Sequence, residues 1–322
     1  MNYRDILKEI FSDLAYVETE LERYALTSKT VLGESAGHLL RAGGKRLRPA
    51  FVLLAGKFSN YILERLGPLA VAIELIHMAT LVHDDIIDGA PTRRGLPTVR
   101  ARWGDPVALY TGDYLFAQAL TLVARHGNAQ IARILAEVSL KMCEGEIEQI
   151  ETTGKLDQGV RAYLRRIKRK TALLISSCCL IGAVASDAPP VVGRCLKNYG
   201  YYIGMAFQIS DDILDFVGNE ETFGKPVGSD LRQGIITLPV IYALKDETWG
   251  PRLAQLILSE NKGEPEWEEI LELIRVSGAL ESAQNLCNQY LAKAKQQLAL
   301  LPDLPPRQIL AAITDFVGNR DF

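Results

Sequence analysis

Apolar residues recur along this chain at gaps of three and four, the period of helices that bury one face. Ile6, Ile10, Leu14, Val17 and Leu21 open the pattern, and Leu39 and Leu40 carry it to a break at Gly43-Gly44. Phe51 to Phe58 and Leu69 to Ile87 are two strongly apolar segments. The second is apolar on most faces, which makes it a central helix. Gly89 to Pro97 reads as a loop, holding glycine, proline and two arginines. Helices are predicted over about 107–125, 131–151, 159–186 and 194–216, then a polar, glycine-bearing loop from Gly218 to Gly234 that is long enough to suggest function. Thr237 to Lys245 resumes an apolar helix. Three more helical stretches follow, with Leu286, Leu291, Leu298 and Leu301 marking one. Pro302 to Pro306 breaks the chain before a last helix that turns Ile309, Ile313 and Phe316 inward. No segment alternates with the strand period, and no linker-like stretch divides the chain, so the pattern predicts one all-α domain spanning 1–322.

The composition agrees and adds exclusions. At 322 residues, 48% hydrophobic and 23% charged, the chain has ample core material for one large domain. Its net charge of −3 argues against nucleic acid as a partner. Five cysteines without Cys-x-x-Cys spacing disfavour a zinc site or disulfide framework and fit a reducing cytoplasm. The opening MNYRDILKEIFSDL carries early acids and no apolar signal core. The longest uncharged apolar stretch, Thr171 to Ser186, is shorter than the ~20 residues that span a bilayer. It reads as a buried helix, and no transmembrane segment is expected.

Chemistry enters with an acidic motif that occurs twice, as Asp84-Asp85-Ile86-Ile87-Asp88 and Asp211-Asp212-Ile213-Leu214-Asp215. On a helix, positions i, i+1 and i+4 fall within an arc of roughly 100°, so each copy turns three carboxylates to one side. Burying them beside Leu81, Val82, Ile86 and Ile87 is costly unless cations neutralise them. Carboxylates in this pattern suit Mg²⁺, which bridges protein carboxylates to substrate phosphates. Asp84 and Asp88 are spaced to bridge metals, and Asp85 to ligate or to orient. Basic groups stand where a polyanion needs them. Gly43-Gly44-Lys45-Arg46-Leu47-Arg48 sets three cations beside a flexible glycine pair, Arg93-Arg94 follows the first motif by five residues, Lys170-Thr171 opens an apolar helix segment, and Lys225 lies in the long loop.

Jointly, GGKRLRP, LIHMATLVHDDIIDGAPTRRG, RKTALLI, FQISDDILDF and GKPVGSDLRQGIITLPV resemble the trans-type polyprenyl diphosphate synthases, in order and over nearly the whole chain. TGDYLFA, CEGEIEQI and VGNRDF are most similar to catalytic subunits of two-component bacterial heptaprenyl diphosphate synthases, which serve menaquinone biosynthesis. The resemblance implies an all-α, single-domain helical bundle around a central deep cavity. It implies Mg²⁺-dependent elongation of an allylic diphosphate, such as farnesyl diphosphate, by successive trans condensations with isopentenyl diphosphate. It also implies a small accessory subunit in a heterodimer, or otherwise a homodimer, and a membrane-destined product. By the same resemblance Asp84, Asp85 and Asp88 hold Mg²⁺ on the allylic diphosphate and Asp211 holds a further Mg²⁺, with Asp212 and Asp215 supporting it. Arg93, Lys170 and Lys225 contact the allylic diphosphate. Gly44, Lys45, Arg48, His77 and Arg94 bind isopentenyl diphosphate, and Thr171 and Gln208 turn oxygen dipoles to the carbocation.

Where many homomeric relatives read Gly-Lys-x-Thr, this chain reads Gly234-Ile235-Ile236-Thr237, so Ile235 supplies no cation there. Product length reads from the residues before the first motif: Ala79 and Thr80 are small and sit about one turn from Asp84, with Ile76 a turn deeper as a later constriction. His83 beside Asp84 also matches the His-Asp dyad of metal phosphohydrolases. That class needs further histidine ligands, and beyond His77 only His38 and His126 remain, in ordinary helical contexts, so His83 is read as a core or supporting group. Cys178-Cys179 read as core. A terpene cyclase normally alters the second acidic motif, and a noncatalytic subunit loses aspartates. This chain keeps all six, which favours the elongating enzyme over both alternatives.

Overall fold

The computed structural model describes residues 3–25, 30–217, 226–259 and 262–319. Its main helices, numbered here in chain order, are α1 (Phe11–Ala25), α2 (Val31–Arg41), α3 (Leu47–Gly56), α4 (Leu63–Ile87), α5 (Asp105–His126), α6 (Ala129–Thr152), α7 (Val160–Ile167), α8 (Leu173–Ala185), α9 (Pro190–Val217), α10 (Leu238–Ala243), α11 (Gly250–Leu258), α12 (Glu264–Val276), α13 (Ala279–Ala299) and α14 (Pro305–Gly318), with short helical turns besides. The all-α expectation holds among the described residues, apart from one two-residue hairpin. The tail carries four long helices, α11 to α14, where the last proline break separates α13 from α14.

Contacts gather the chain into two compact units whose segments interleave in sequence. One comprises Met1–Glu137, Ile175–Lys197 and Leu298–Ile313, and the other Val138–Leu174, Asn198–Gln297 and Thr314–Phe322.

The first unit is built on α4, which packs along α5, α3 and α1. Its apolar residues occur on most faces, and Leu66, Leu69, Ile73, Leu75 and Val82 are fully buried. By length and composition α4 and α5 are both apolar enough to cross a bilayer, although the sequence reading expected no such segment. In α4 that apolarity goes into the core of the unit. Two glycines let helices close in: a side chain at Gly182 would strike the Val52 carbonyl, and one at Gly112 would strike the His83 ring. His83, on α4, thus packs against α5, its Nε2 donating to the Leu109 carbonyl at 3.3 Å and lying 3.5 Å from Asp113.

The predicted loop after α4 contains the hairpin, pairing Thr92 with Pro97 and Arg93 with Leu96. Strands this short show no alternation to read. Its two central residues, Arg94 (φ 53°) and Gly95 (φ 77°), both lie in the left-handed region, as a primed two-residue turn requires. His38 ties the hairpin to α2 by donating from Nε2 to the Pro97 carbonyl at 2.7 Å.

The second unit holds α7, a five-residue π-helical turn at Lys168–Ala172, most of α9, and α10 to α13. The sequence reading ran one helix from 159 to 186; the π turn interrupts it.

Candidate active site

In the first unit the last turns of α4 carry the first acidic motif. Asp84 is half-buried and Asp88 exposed, whereas Asp85 is 1% exposed. Asp85 Oδ1 accepts from Arg93 Nε at 2.9 Å and lies 2.8 Å from its Nη2. Asp85 thus pairs with the arginine of the hairpin. Among the described residues no three His, Cys, Asp or Glu side chains gather into a metal cluster. Two carboxylates one turn apart nevertheless suit Mg²⁺, which takes one or two carboxylates and completes its shell with phosphate oxygens and water.

A cationic cluster adjoins this motif. A Cβ placed on Gly44 would lie 2.8 Å from Arg94 Nη1 and 3.0 Å from Arg46 Nη1, so glycine leaves room for both guanidinium groups where they stand. His77, on the same helix as Asp84 and two turns before it, lies half-buried among them. Its pKa is held well below the usual imidazole value by burial and by Arg48, Arg94, Arg93 and Arg46, which keeps the ring neutral. The pKa of Arg94 is likewise lowered, by burial first and then by its arginine neighbours, against the opposing pull of Glu74. Crowded like charges of this kind favour an anion among them. Lys45 and Gly44 are exposed and Arg48 half-buried on the same loop and helix start.

Arg46 is the exception. At φ 48° it sits in the left-handed region just before α3, and it is 9% exposed. Its Nε and Nη2 donate to the two oxygens of Glu18, each at 2.7 Å, and Nη1 donates to Glu74 at 3.0 Å. It is a strut that joins α1, the glycine loop and α4. The sequence reading grouped Arg46 with the other cations and missed both acids. Glu74 had a visible signal, being the one acid in the apolar run from Leu66 to Met78.

Of the proposed length-setting residues, Ala79 and Ile76 are each 1% exposed, and Thr80 is half-buried with its hydroxyl donating to the His77 carbonyl at 2.8 Å.

In the second unit, Thr171 Oγ1 donates to Gln208 Oε1 at 2.7 Å, and Gln208 Nε2 donates to Asp212 Oδ1 at 2.9 Å. Tyr163, which the sequence reading missed, donates to Asp212 Oδ2 at 2.6 Å. Asp212 is 3% exposed, and burial, with Asp230 nearby, pushes its carboxyl up to about 8. Asp215 accepts from the backbone N–H groups of Ser229 and Asp230, both at 3.1 Å, and so caps the short helix Ser229–Arg232. Asp211 is half-buried on α9. Lys170 Nζ donates to Glu146 at 3.1 Å. Lys225 lies outside the described residues. Ile235 is half-buried, after Gly234, whose carbonyl accepts from Gly154 at 2.8 Å. Back in the first unit, Cys178 and Cys179 are fully buried, and burial pushes the Cys178 thiol up to about 12, which makes it an inert core group as expected.

The family model of the polyprenyl synthetases matches residues 29–274. Heptaprenyl diphosphate synthase component 2 of Geobacillus stearothermophilus is 49% identical over 320 residues, covering 98% of this chain and 99% of that protein. The crystal structure of heptaprenyl diphosphate synthase from Staphylococcus aureus matches with a TM-score of 0.90 at 39% identity, covering 100% of this chain and 99% of that one. The polyprenyl synthase of Caulobacter crescentus CB15, solved in complex with calcium and isoprenyl diphosphate, matches with a TM-score of 0.93 at 34% identity, over 99% of this chain and 98% of that one. With the acidic motifs, the cationic cluster and a helical fold all in place, the chain belongs to the polyprenyl synthetase family and is a prenyltransferase.

Proposed function

We propose that the chain elongates an allylic diphosphate, with farnesyl diphosphate as primer, by successive condensations with isopentenyl diphosphate to heptaprenyl diphosphate, the side-chain precursor of menaquinone. The observation that carries this reading is the crowding of Arg46, Arg48, Arg93 and Arg94 around His77, on the helix that ends in Asp84 and Asp88. Glu18 and Glu74 neutralise Arg46, and Asp85 pairs with Arg93; Arg48, Arg94 and Lys45 then serve the diphosphate of isopentenyl diphosphate, with Gly44 giving room and His77 donating one N–H. Asp84 and Asp88 would hold Mg²⁺, and Asp211 a further ion. When bound, Mg²⁺ neutralises the charge that develops on the leaving group. Arg93, still paired with Asp85, and Lys170 and Lys225 add positive charge to that group, so the C1–O bond breaks with its electron pair on oxygen. Thr171 and Gln208 present oxygens to the resulting allylic cation, the double bond of isopentenyl diphosphate attacks it, and the released diphosphate takes the proton.

Residues 1–322 form one polyprenyl synthase domain in this reading. Support comes from a family match and relatives that run through the segments of both units. The enzyme is cytoplasmic, consistent with five free cysteines. It works with a small accessory subunit, as the name component 2 of its relative suggests. A surface suited to that subunit is the stripe Leu140, Cys143, Ile147 and Ile150 on α6, spaced three and four apart; Leu140 is 66% exposed and Ile147 55%. Ile235, in place of the family lysine, fits a dependence on the partner.

The test incubates the chain with farnesyl diphosphate, isopentenyl diphosphate and Mg²⁺, with and without a candidate partner, and measures product length. Long product only with the partner is expected, and Leu140→Glu should remove that stimulation. Full heptaprenyl synthesis by the isolated chain overturns the partner requirement, and no condensation in either arm overturns the function. In the same assay Ala79→Phe is expected to shorten the product by one or more isoprene units. An unchanged length distribution would show that the growing chain does not pass Ala79.

A further inference from the structure

We propose that Tyr163 is a positioning residue for the condensation, acting through Asp212 and Gln208 to set how Thr171 presents its hydroxyl; this rests on the role given above to Thr171 and Gln208. The observation is a closed run of hydrogen bonds between two helical segments of the second unit. Tyr163 and Thr171 lie on one segment, and Gln208 and Asp212 on α9.

The backbone brings these four together by two devices. Gln208 and Asp212 are one turn apart on α9 and share a face. Tyr163 and Thr171 are eight residues apart, which on a regular α-helix turns them about 80° from one another. The π turn at Lys168–Ala172 holds one residue more than an α-helical turn, so the separation of eight behaves as seven and both side chains come onto the face toward α9. Gly204 then lets α9 approach: a Cβ there would lie 2.7 Å from Ala172 Cα.

Direction follows from donor and acceptor inventory. A tyrosine hydroxyl has one proton, and here it goes to Asp212 Oδ2 while Gln208 donates to Oδ1, so Asp212 takes part as the ionised carboxylate, the form that these two hydrogen bonds favour against its burial, and its plane is fixed with Oδ1 aimed at Gln208. Gln208 therefore turns its NH₂ to Asp212 and its carbonyl to Thr171. The single proton of Thr171 is spent on that carbonyl, so the lone pairs of Oγ1 point away from Gln208 and remain for a cation. With the amide reversed, its NH₂ would donate to Thr171 and leave the Thr171 proton to face the cation, a repulsive arrangement. Tyr163 is fully buried, its hydroxyl donates to Asp212, and the Arg166 guanidinium lies 5.7 Å from its ring centre.

The test is Tyr163→Phe, Thr171→Val and the double variant, assayed where the unaltered chain condenses. Tyr163→Phe should lower kcat by about 10–100-fold, the scale of an ångström-level misplacement. KM for both diphosphates should stay within about twofold, because no binding cation is touched. In the Thr171→Val background, Tyr163→Phe should add less than about twofold, since residues acting in one chain are not additive. Asp212→Asn, which keeps the shape but can accept from only one of the two donors, should reproduce the kcat loss and serves if Tyr163→Phe does not fold. A Tyr163→Phe enzyme at the unaltered rate, or a full multiplicative loss in the double variant, overturns the proposal while leaving the prenyltransferase reading intact. Absence of condensation in the unaltered chain would instead overturn that reading.

Discussion

Replacing Asp84 with asparagine should lower the rate of condensation by about 10²–10³-fold, the effect of removing one preorganised charge-stabilising group. The side chains are nearly the same size, so α4 keeps its packing and the loss is of charge alone. A hard divalent cation prefers anionic oxygen, and the motif has few to give, because Asp85 is 1% exposed and bound to Arg93 at 2.8 and 2.9 Å. Asp84→Asn should therefore shift the Mg²⁺ dependence of the rate to higher concentration while leaving the melting temperature within a few degrees. Asp85→Asn should do the opposite. It releases Arg93 and leaves a buried amide facing a guanidinium, so it destabilises the fold and raises KM for the allylic substrate with a smaller change in Mg²⁺ dependence. Metal titrations and thermal melts of the two variants separate these outcomes. An Asp84→Asn enzyme with unaltered rate and unaltered Mg²⁺ midpoint would show that this carboxylate is not a ligand.

That difference between adjacent aspartates marks where the sequence stops being legible. Two Asp-Asp-x-x-Asp motifs in apolar helices are readable because charge there demands a partner. Neighbours on a helix point about 100° apart, however, and which of them meets the partner depends on a hairpin too short to alternate. The helices themselves were readable, since periodicity is local. The π turn was not, because no local pattern marks it, and it lies where Ala172 meets Gly204, 32 positions on in number. Without that turn Tyr163 looks like one more core aromatic of a basic helix. Asp215 and Asp212 are alike in the motif, yet one caps a four-residue helix and the other is buried between a tyrosine and a glutamine. Long-range partners of this kind leave no trace in local pattern.

Arg46 shows the same limit with the largest stability consequence. Arg46→Met should destabilise the protein by about 3–5 kcal/mol, the cost of stranding one member of a buried ion pair. Glu74 is the member left stranded: its side chain is 4% exposed and cannot recover water when its partner goes. Glu18 can: its side chain is 42% exposed, so Glu18→Gln should cost no more than about 1 kcal/mol despite the two 2.7 Å bonds it accepts. Removing the stranded charge should restore most of the loss, so Arg46→Met combined with Glu74→Met should be markedly more stable than Arg46→Met alone. Denaturant unfolding of the four proteins reads this order directly. Equal losses for Arg46→Met and Glu18→Gln, or a double variant no more stable than the single one, would place the strength of the strut at the protein surface. Activity should not return with stability. The double variant lacks the group that joins α1 to α4 and holds the glycine loop between them, so Gly44 and Lys45 are no longer fixed beside Arg94, and KM for isopentenyl diphosphate should stay raised in a protein that is again well folded.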